Sequence, residues 1–182
     1  MNAATGRRIP LATYRLQLRR EFPFEAAAGL VAYARALGIS DFYCSPIFLS
    51  TPGSAHGYDV NDYRRINPDL GGPTGLQRLD TALRAEGMSI VLDFVPNHMG
   101  INGPGLLNRW WRDVLKNGLH SPYARFFDID WNDRDSGERA QVLVPILDDH
   151  YGRVLEAGRL ALAYGQGELS ITYGEMRFPV AP

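Results

Sequence analysis

Two short stretches of this 182-residue chain gather the side chains that could act on a ligand. The first is the connection from Pro46 to Pro73, which holds Ser54, His56, Gly57, Tyr58, Asp59, Asn61, Asp62 and Tyr63. His56, Tyr58 and Asp59 together offer a donor/acceptor, an aromatic face and a carboxylate. Such groups can hold a neutral polyhydroxyl ring, by hydrogen bonds around its edge and stacking on its apolar face. The alternative is a surface loop packed by its own tyrosines. The second stretch is Asp93-Phe94-Val95-Pro96-Asn97-His98, at the end of the most apolar run, SIVLDFV over 89–95. A carboxylate at Asp93 is costly there unless it is paired or hydrogen-bonded. A polar cluster at the carboxyl end of a barrel strand reads as active-site wall. Its alternative is a solvated strand end with a capping asparagine.

The elements that must position these groups follow from periodicity. In ATYRLQL (12–18) Tyr14, Leu16 and Leu18 alternate with Arg15 and Gln17, which predicts a strand. An apolar stripe at Ala27, Leu30, Val31, Ala34 and Leu37 predicts a helix stopped by Gly38. A short strand is expected from Asp41 to Ser45. Thr74 and Gln77 form a T-x-x-Q capping box, opening a helix with Leu76, Leu79 and Leu83 on one side and ending at Gly87. The near-continuous run over 89–95 suits a parallel strand buried on both faces. Strand–helix–strand–helix–strand is a parallel α/β pattern, either doubly wound or the opening of a (β/α)8 barrel.

From Gly100 the alternation stops. Leu106, Leu107, Trp110, Trp111, Val114 and Leu115 give a helical stripe closed by Gly118. A strand is expected over 141–147, at an edge because of Pro145. RLALAY and LSITY, separated by Gly165-Gln166-Gly167, read as a hairpin. This is an α+β excursion. The acidic stretch from Asp128 to Asp135 reads as a solvated turn, and Trp110 and Trp111 cannot both face one side of a helix.

Other chemistries are excluded or disfavoured. Nineteen Lys+Arg against twenty Asp+Glu leave a net charge of −1, which argues against a nucleic-acid partner. Phosphate-binding glycine loops, HExxH and CxxC pairs are absent. The four histidines, at 56, 98, 120 and 150, lack close metal-ligand spacing, and His120 and His150 read as surface groups. Cys44, the single cysteine, reads as core. No apolar run is long enough for a signal peptide or a bilayer span, so no membrane partner and a cytoplasmic location are expected.

The pairing of HGYDVNDY (56–63) with DFVPNH (93–98) resembles the α-amylase superfamily, glycoside hydrolase family 13. In that family the loop after barrel strand 2 carries H-G-Y, and the end of strand 3 carries D-x-x-x-N-H. ATYRLQL, SAHGYDVNDYRRINPDLGG, SPYARFFDIDW and VLVPILDDHYGRVLEAGRLAL are similar to its trehalose-forming branch. The resemblance implies an α/β fold: the N-terminal part of a (β/α)8 TIM barrel, strands 1–3, in residues 1–99. A small α+β domain inserted after strand 3 would occupy 100–182. Tyr58 would be the aromatic platform under the sugar ring next to the scissile bond, and His56 and His98 would hydrogen-bond that ring. Asp59, Asp93 and Asn97 would support the site, Asp93 by orienting its neighbours and Asn97 by bracing the strand 3 loop.

In that branch a reducing-end α-1,4 bond of a maltooligosaccharide becomes an α,α-1,1 bond by a retaining double displacement. The family's nucleophile, acid/base and third carboxylate follow barrel strands 4, 5 and 7. None of this chain's Asp or Glu matches them, so no catalytic residue is assigned within it. The chain is expected to be inactive without a C-terminal remainder of the same polypeptide. The residue matching Asn97 binds calcium in many α-amylases, but the trehalose-forming branch is not expected to need it; no metal or cofactor is expected. Two other readings stay open. One is a fragment of another glucan hydrolase or transferase of the superfamily. The other is a non-catalytic glucan-binding domain, which would leave a bare strand edge and an uncovered apolar face.

Overall fold

The alternation in ATYRLQL forms a strand over its first part only, β1 (Thr13–Leu16), with Leu16 buried and Arg15 exposed; Leu18, two residues past its end, is buried as well. The computed structural model describes residues 8–101, 106–131, 142–165 and 167–180. It divides into two compact units, Met1–Met99 and Gly100–Pro182.

In the first unit β1 is followed by α1 (Phe24–Gly29), α2 (Val31–Ala36) and β2 (Asp41–Cys44). Then come β3 (Phe48–Ser50), β4 (Val60–Ile66), α3 (Gly72–Ala85) and β5 (Ser89–Leu92). The stripe from Ala27 to Leu37 predicts one helix, and the structure has two. Leu30 makes a tight turn in which its amide bonds the Ala27 carbonyl at 3.1 Å, just after Gly29, the weakest helix former of the segment. The stripe survives the break, since Ala27, Val31 and Ala34 are all buried. The Thr74–Gln77 capping box does not open α3. The helix begins at Gly72 after Gly71 in the left-handed conformation (φ 100°), with no side-chain cap. Pro73 has a φ suited to a first helical turn, so the helix can start ahead of Thr74.

Strands β1, β2 and β5 form one parallel sheet in the order β1-β2-β5. Leu16, Cys44 and Leu92 share a row, and Arg15, Tyr43 and Val91 share the next. Adjacent rows face opposite sides of the sheet. Leu16, Phe42 and Cys44 pack with Phe24, Ala27, Leu79 and Leu83 in one apolar core. The other face carries Arg15, Asp41, Tyr43 and, one step past Val91, Asp93. At its amino-terminal end Arg8 pairs with buried Asp41, and Ser40 Oγ accepts from the amides of Leu11 (2.9 Å) and Ala12 (3.0 Å). The expectation that β5 is buried on both faces fails: it is half-buried, with Leu92 44% exposed. Among the described residues no strand pairs with its outer edge.

Phe24 fixes how closely α3 can approach. A Cβ on Gly75 would lie 3.2 Å from Phe24 Cδ2 and 3.3 Å from the Leu70 carbonyl oxygen. Gly75→Ala would gain helix propensity of about 1 kcal/mol. Overpacking against a buried ring and a backbone oxygen costs about 1–3 kcal/mol. The net expectation is destabilisation, read as a lower urea midpoint with an unchanged slope.

In the second unit α4 (Arg109–Asn117) starts three residues beyond Leu106, capped by Asn108, whose Oδ1 accepts from the Trp111 amide at 3.1 Å. Trp111 is buried with Val114, while half-buried Trp110 packs with Tyr123 and Phe126. After α5 (Tyr151–Glu156), capped by His150 Nδ1, come β6 (Leu160–Gly165), β7 (Glu168–Tyr173) and β8 (Met176–Pro179). The expected hairpin is present as antiparallel β6–β7, and β8 adds a third strand that the sequence reading did not foresee. The strand expected over 141–147 is not formed in its described part, 142–147. Pro145 lacks an amide, and the Ile146 amide turns back to the Val144 carbonyl at 2.9 Å. Gln141, Asp133 and Asp135 lie outside the described residues. Asp148 is held at a pKa of about 2, first by Arg159 and then by the Tyr173 hydroxyl.

Among the described residues no helix is long and apolar enough to cross a membrane, and no group of three or more His, Cys, Asp or Glu could hold a metal ion.

Candidate functional site

The parallel registers place Arg15 beside Tyr43, and Tyr43 beside Val91, two residues before Asp93. Three polar side chains therefore leave one sheet face near its carboxyl end. Arg15 donates from Nη1 to Asp93 Oδ2 at 2.9 Å and from Nη2 to Tyr58 Oη at 2.8 Å. The Tyr58 hydroxyl donates to the same Asp93 oxygen at 2.6 Å. The Arg15 guanidinium carbon lies over the Tyr43 ring, 4.3 Å from its centroid.

This triangle sets the charge states. The Tyr58 hydroxyl, opposed by burial and aided by Arg15, holds the Asp93 carboxyl below the usual carboxylate range. The Tyr58 hydroxyl is pushed up, first by its bond to Asp93. Near neutral pH Asp93 is an anion that accepts two hydrogen bonds on one oxygen, and Tyr58 is a neutral phenol. Such a carboxylate braces its neighbours and is a poor proton donor.

The loop that presents Tyr58 is tightly specified. Gly57 has φ 76°, and a Cβ there would sit 3.0 Å from the Pro46 carbonyl oxygen, so only glycine fits without strain. Ser54 Oγ accepts from the Gly57 amide at 3.1 Å and donates to Asp59 Oδ1 at 2.6 Å. His56 Nδ1 accepts from the Tyr58 amide at 3.0 Å. By that bond the neutral imidazole carries its proton on Nε2, a donor on an exposed ring. Gln17 Nε2 donates to the His56 carbonyl at 3.1 Å.

Tyr63, on β4, ties the second loop: its hydroxyl donates to the Val95 carbonyl, and the His98 carbonyl lies 3.2 Å away. Burial raises its pKa. The Tyr63 ring packs edge-on against Phe94 and Phe48.

Of the residues singled out in the sequence, Tyr58 and Asp93 are joined directly. The His56 and Tyr58 rings lie 5.9 Å apart, and Asp59 closes the loop through Ser54. Asn97 and His98 are exposed and face each other, Oδ1 to Nδ1, at 3.2 Å. Among the described residues no hydrogen bond joins either of them to Tyr58 or Asp93. Arg15, Gln17 and Tyr43 were missed as site residues. The available signal was that Arg15 and Gln17 occupy the polar face of a first parallel strand, close to its carboxyl end. Cys44 is fully buried, and burial pushes its thiol up to about 11, which suits core rather than a nucleophile.

The parallel α/β sheet agrees with the family and the solved structures that the chain is similar to. The family described as Alpha amylase, catalytic domain, matches residues 29–150, and the chain belongs to that family. It is 42% identical to the maltooligosyltrehalose synthase of Arthrobacter ramosus over 94% of its own length and 21% of that chain, with a TM-score of 0.80. A second solved maltooligosyl trehalose synthase matches 96% of the chain at 35% identity and a TM-score of 0.85, over 23% of its own length. The intracellular maltogenic amylase of Bacillus subtilis is 38% identical over 121 residues, 66% of this chain and 17% of the relative. The chain thus spans about a fifth of the length of the relatives it matches.

Proposed function

We propose that the chain is the N-terminal part of a maltooligosyl trehalose synthase, acting on maltooligosaccharides only together with the remainder of that polypeptide. The observation that carries this is the extent of the likeness. It runs through 94–96% of the chain for the synthases, against 66% for the maltogenic amylase. In this reading residues 1–99 are the first three βα units of a (β/α)8 barrel, with β1, β2 and β5 as its first strands. Residues 100–182 are a small domain inserted after the third.

Tyr58 stacks under the sugar ring beside the scissile bond, and His56, donating from Nε2, and His98 bond its hydroxyls. Asp93, Asp59 and Asn97 support them. Carboxylates from the remainder carry out the double displacement. The released glucose stays in the site and attacks through its anomeric hydroxyl, so the net reaction is an isomerisation that requires water to be excluded.

The test follows reducing ends in maltopentaose treated with the full-length polypeptide. Loss of reducing ends without matching glucose release is the expected result. A rise in reducing ends would identify a hydrolase of the same family and overturn the synthase reading. The 182-residue chain alone is expected to do neither.

A further inference from the structure

We infer that Arg15 is a positioning residue: it sets the pose of the Tyr58 ring and so decides whether the cleaved glucan is transferred to glucose or lost to water. The inference rests on the synthase reading above.

Tyr58 Oη has one proton, given to Asp93 Oδ2 at 2.6 Å, and it accepts from Arg15 Nη2 at 2.8 Å. The tip of the ring is therefore held from two directions. With Asp93 alone it would turn about a single bond. Arg15 is itself fixed, through Nη1 on Asp93 at 2.9 Å and by the Tyr43 ring beneath it at 4.3 Å. A planar guanidinium can span both partners while lying flat on an aromatic ring; an ammonium cannot.

The plainer alternative is that Arg15 merely neutralises Asp93, whose side chain is 16% exposed against 35% for Arg15. Under that alternative any cation at position 15 suffices.

The consequence lies in the second displacement. The bond between the maltooligosyl unit and the nucleophilic carboxylate is broken by an incoming oxygen, whose proton passes to the acid/base carboxylate. If that oxygen is the anomeric hydroxyl of the released glucose, an α,α-1,1 bond forms. If it is water, a free reducing end remains. A tilted platform lets the sugar ring shift and admits water.

The experiment compares Arg15→Met, Arg15→Lys and the parent full-length polypeptide on maltopentaose. It reads KM, kcat and the ratio of glucose released to trehalose ends formed. That ratio does not depend on how much enzyme is folded, so a merely structural role would not move it. Misplacement by about 1 Å can cost about 100-fold, the loss of kcat/KM expected for Arg15→Met. Both variants are expected to raise the glucose fraction severalfold, and Arg15→Lys is expected to recover the melting temperature but not the ratio. A parental ratio and KM in Arg15→Met, or their full rescue by Arg15→Lys, would overturn the role. If the parent only hydrolyses, the synthase reading fails, and KM for maltopentaose decides: raised in both variants supports positioning, unchanged overturns it. A parent inert on glucans overturns both.

Discussion

Replacing Asp93 with alanine is expected to lower kcat/KM of the full-length polypeptide on maltopentaose by about 100-fold or more. One carboxylate oxygen accepts from Arg15 at 2.9 Å and from Tyr58 at 2.6 Å, so its removal takes a bond from each at once and leaves only the 2.8 Å bond between them. It also leaves the Arg15 cation without a counter-charge on a face where Tyr43 holds it in place. Asp93→Asn keeps an acceptor but loses the charge, and charge-assisted bonds are roughly twice as strong as neutral ones. Its activity should fall between the two. An Asp93→Ala variant as active as the parent would refute the view that the platform is held through this carboxylate.

The pH dependence follows from the same contacts. Asp93 has its carboxyl lowered, by the Tyr58 hydroxyl first and then by Arg15. A depressed folded-state pKa means the contribution to stability is complete above the ordinary value of about 3.9 and is lost as pH falls through the folded value. No inflection in activity between about pH 5 and 8 should therefore belong to Asp93. An inflection in that window that disappears in Asp93→Asn would contradict the assignment.

Phe24→Ala is expected to cost about 3–5 kcal/mol of stability, the usual loss for a fully buried phenylalanine. Phe24 is 0% exposed, belongs to the core shared by β1, β2, α1 and α3, and meets α3 at Gly75 without an intervening Cβ. Gly75, the α3 residue that faces the ring, has no side chain to move into the space. Domains have about 5–15 kcal/mol in all, which makes this a large share. Urea unfolding followed by far-ultraviolet dichroism would measure it. The expected result is a lower urea midpoint than the parent's; an unchanged midpoint would place the anchor elsewhere.

The strongest local patterns were legible in the chain alone. Alternation in ATYRLQL, the apolar run before Asp93 and the β6–β7 hairpin each appear in the structure, because strand periodicity is a property of neighbours in sequence. Residue chemistry marked two separate stretches, His56–Asp59 and Asp93–His98, as candidates, and it was the resemblance carried by their two short motifs that joined them in one site and pointed to the family. Features that depend on distant partners were not legible. Strand β4 has Asn61 and Asp62 buried, so its sequence does not alternate and the β3–β4 pair read as a loop. The stretch 142–147 has strand composition but, among the described residues, no strand partner.

What tertiary structure decided is how the site is held. Arg15 and Asp93 are 78 residues apart, and Arg15 and Tyr58 are 43 apart. No local rule brings them together. They meet because β1, β2 and β5 lie parallel and in one register, which puts the ends of three sequence-distant strands side by side. Sequence determined which groups could bind a sugar and which strands could carry them. The parallel packing determined that an arginine on the first strand holds the tyrosine in the loop after the second, by bringing its donors within hydrogen-bond reach of both partners.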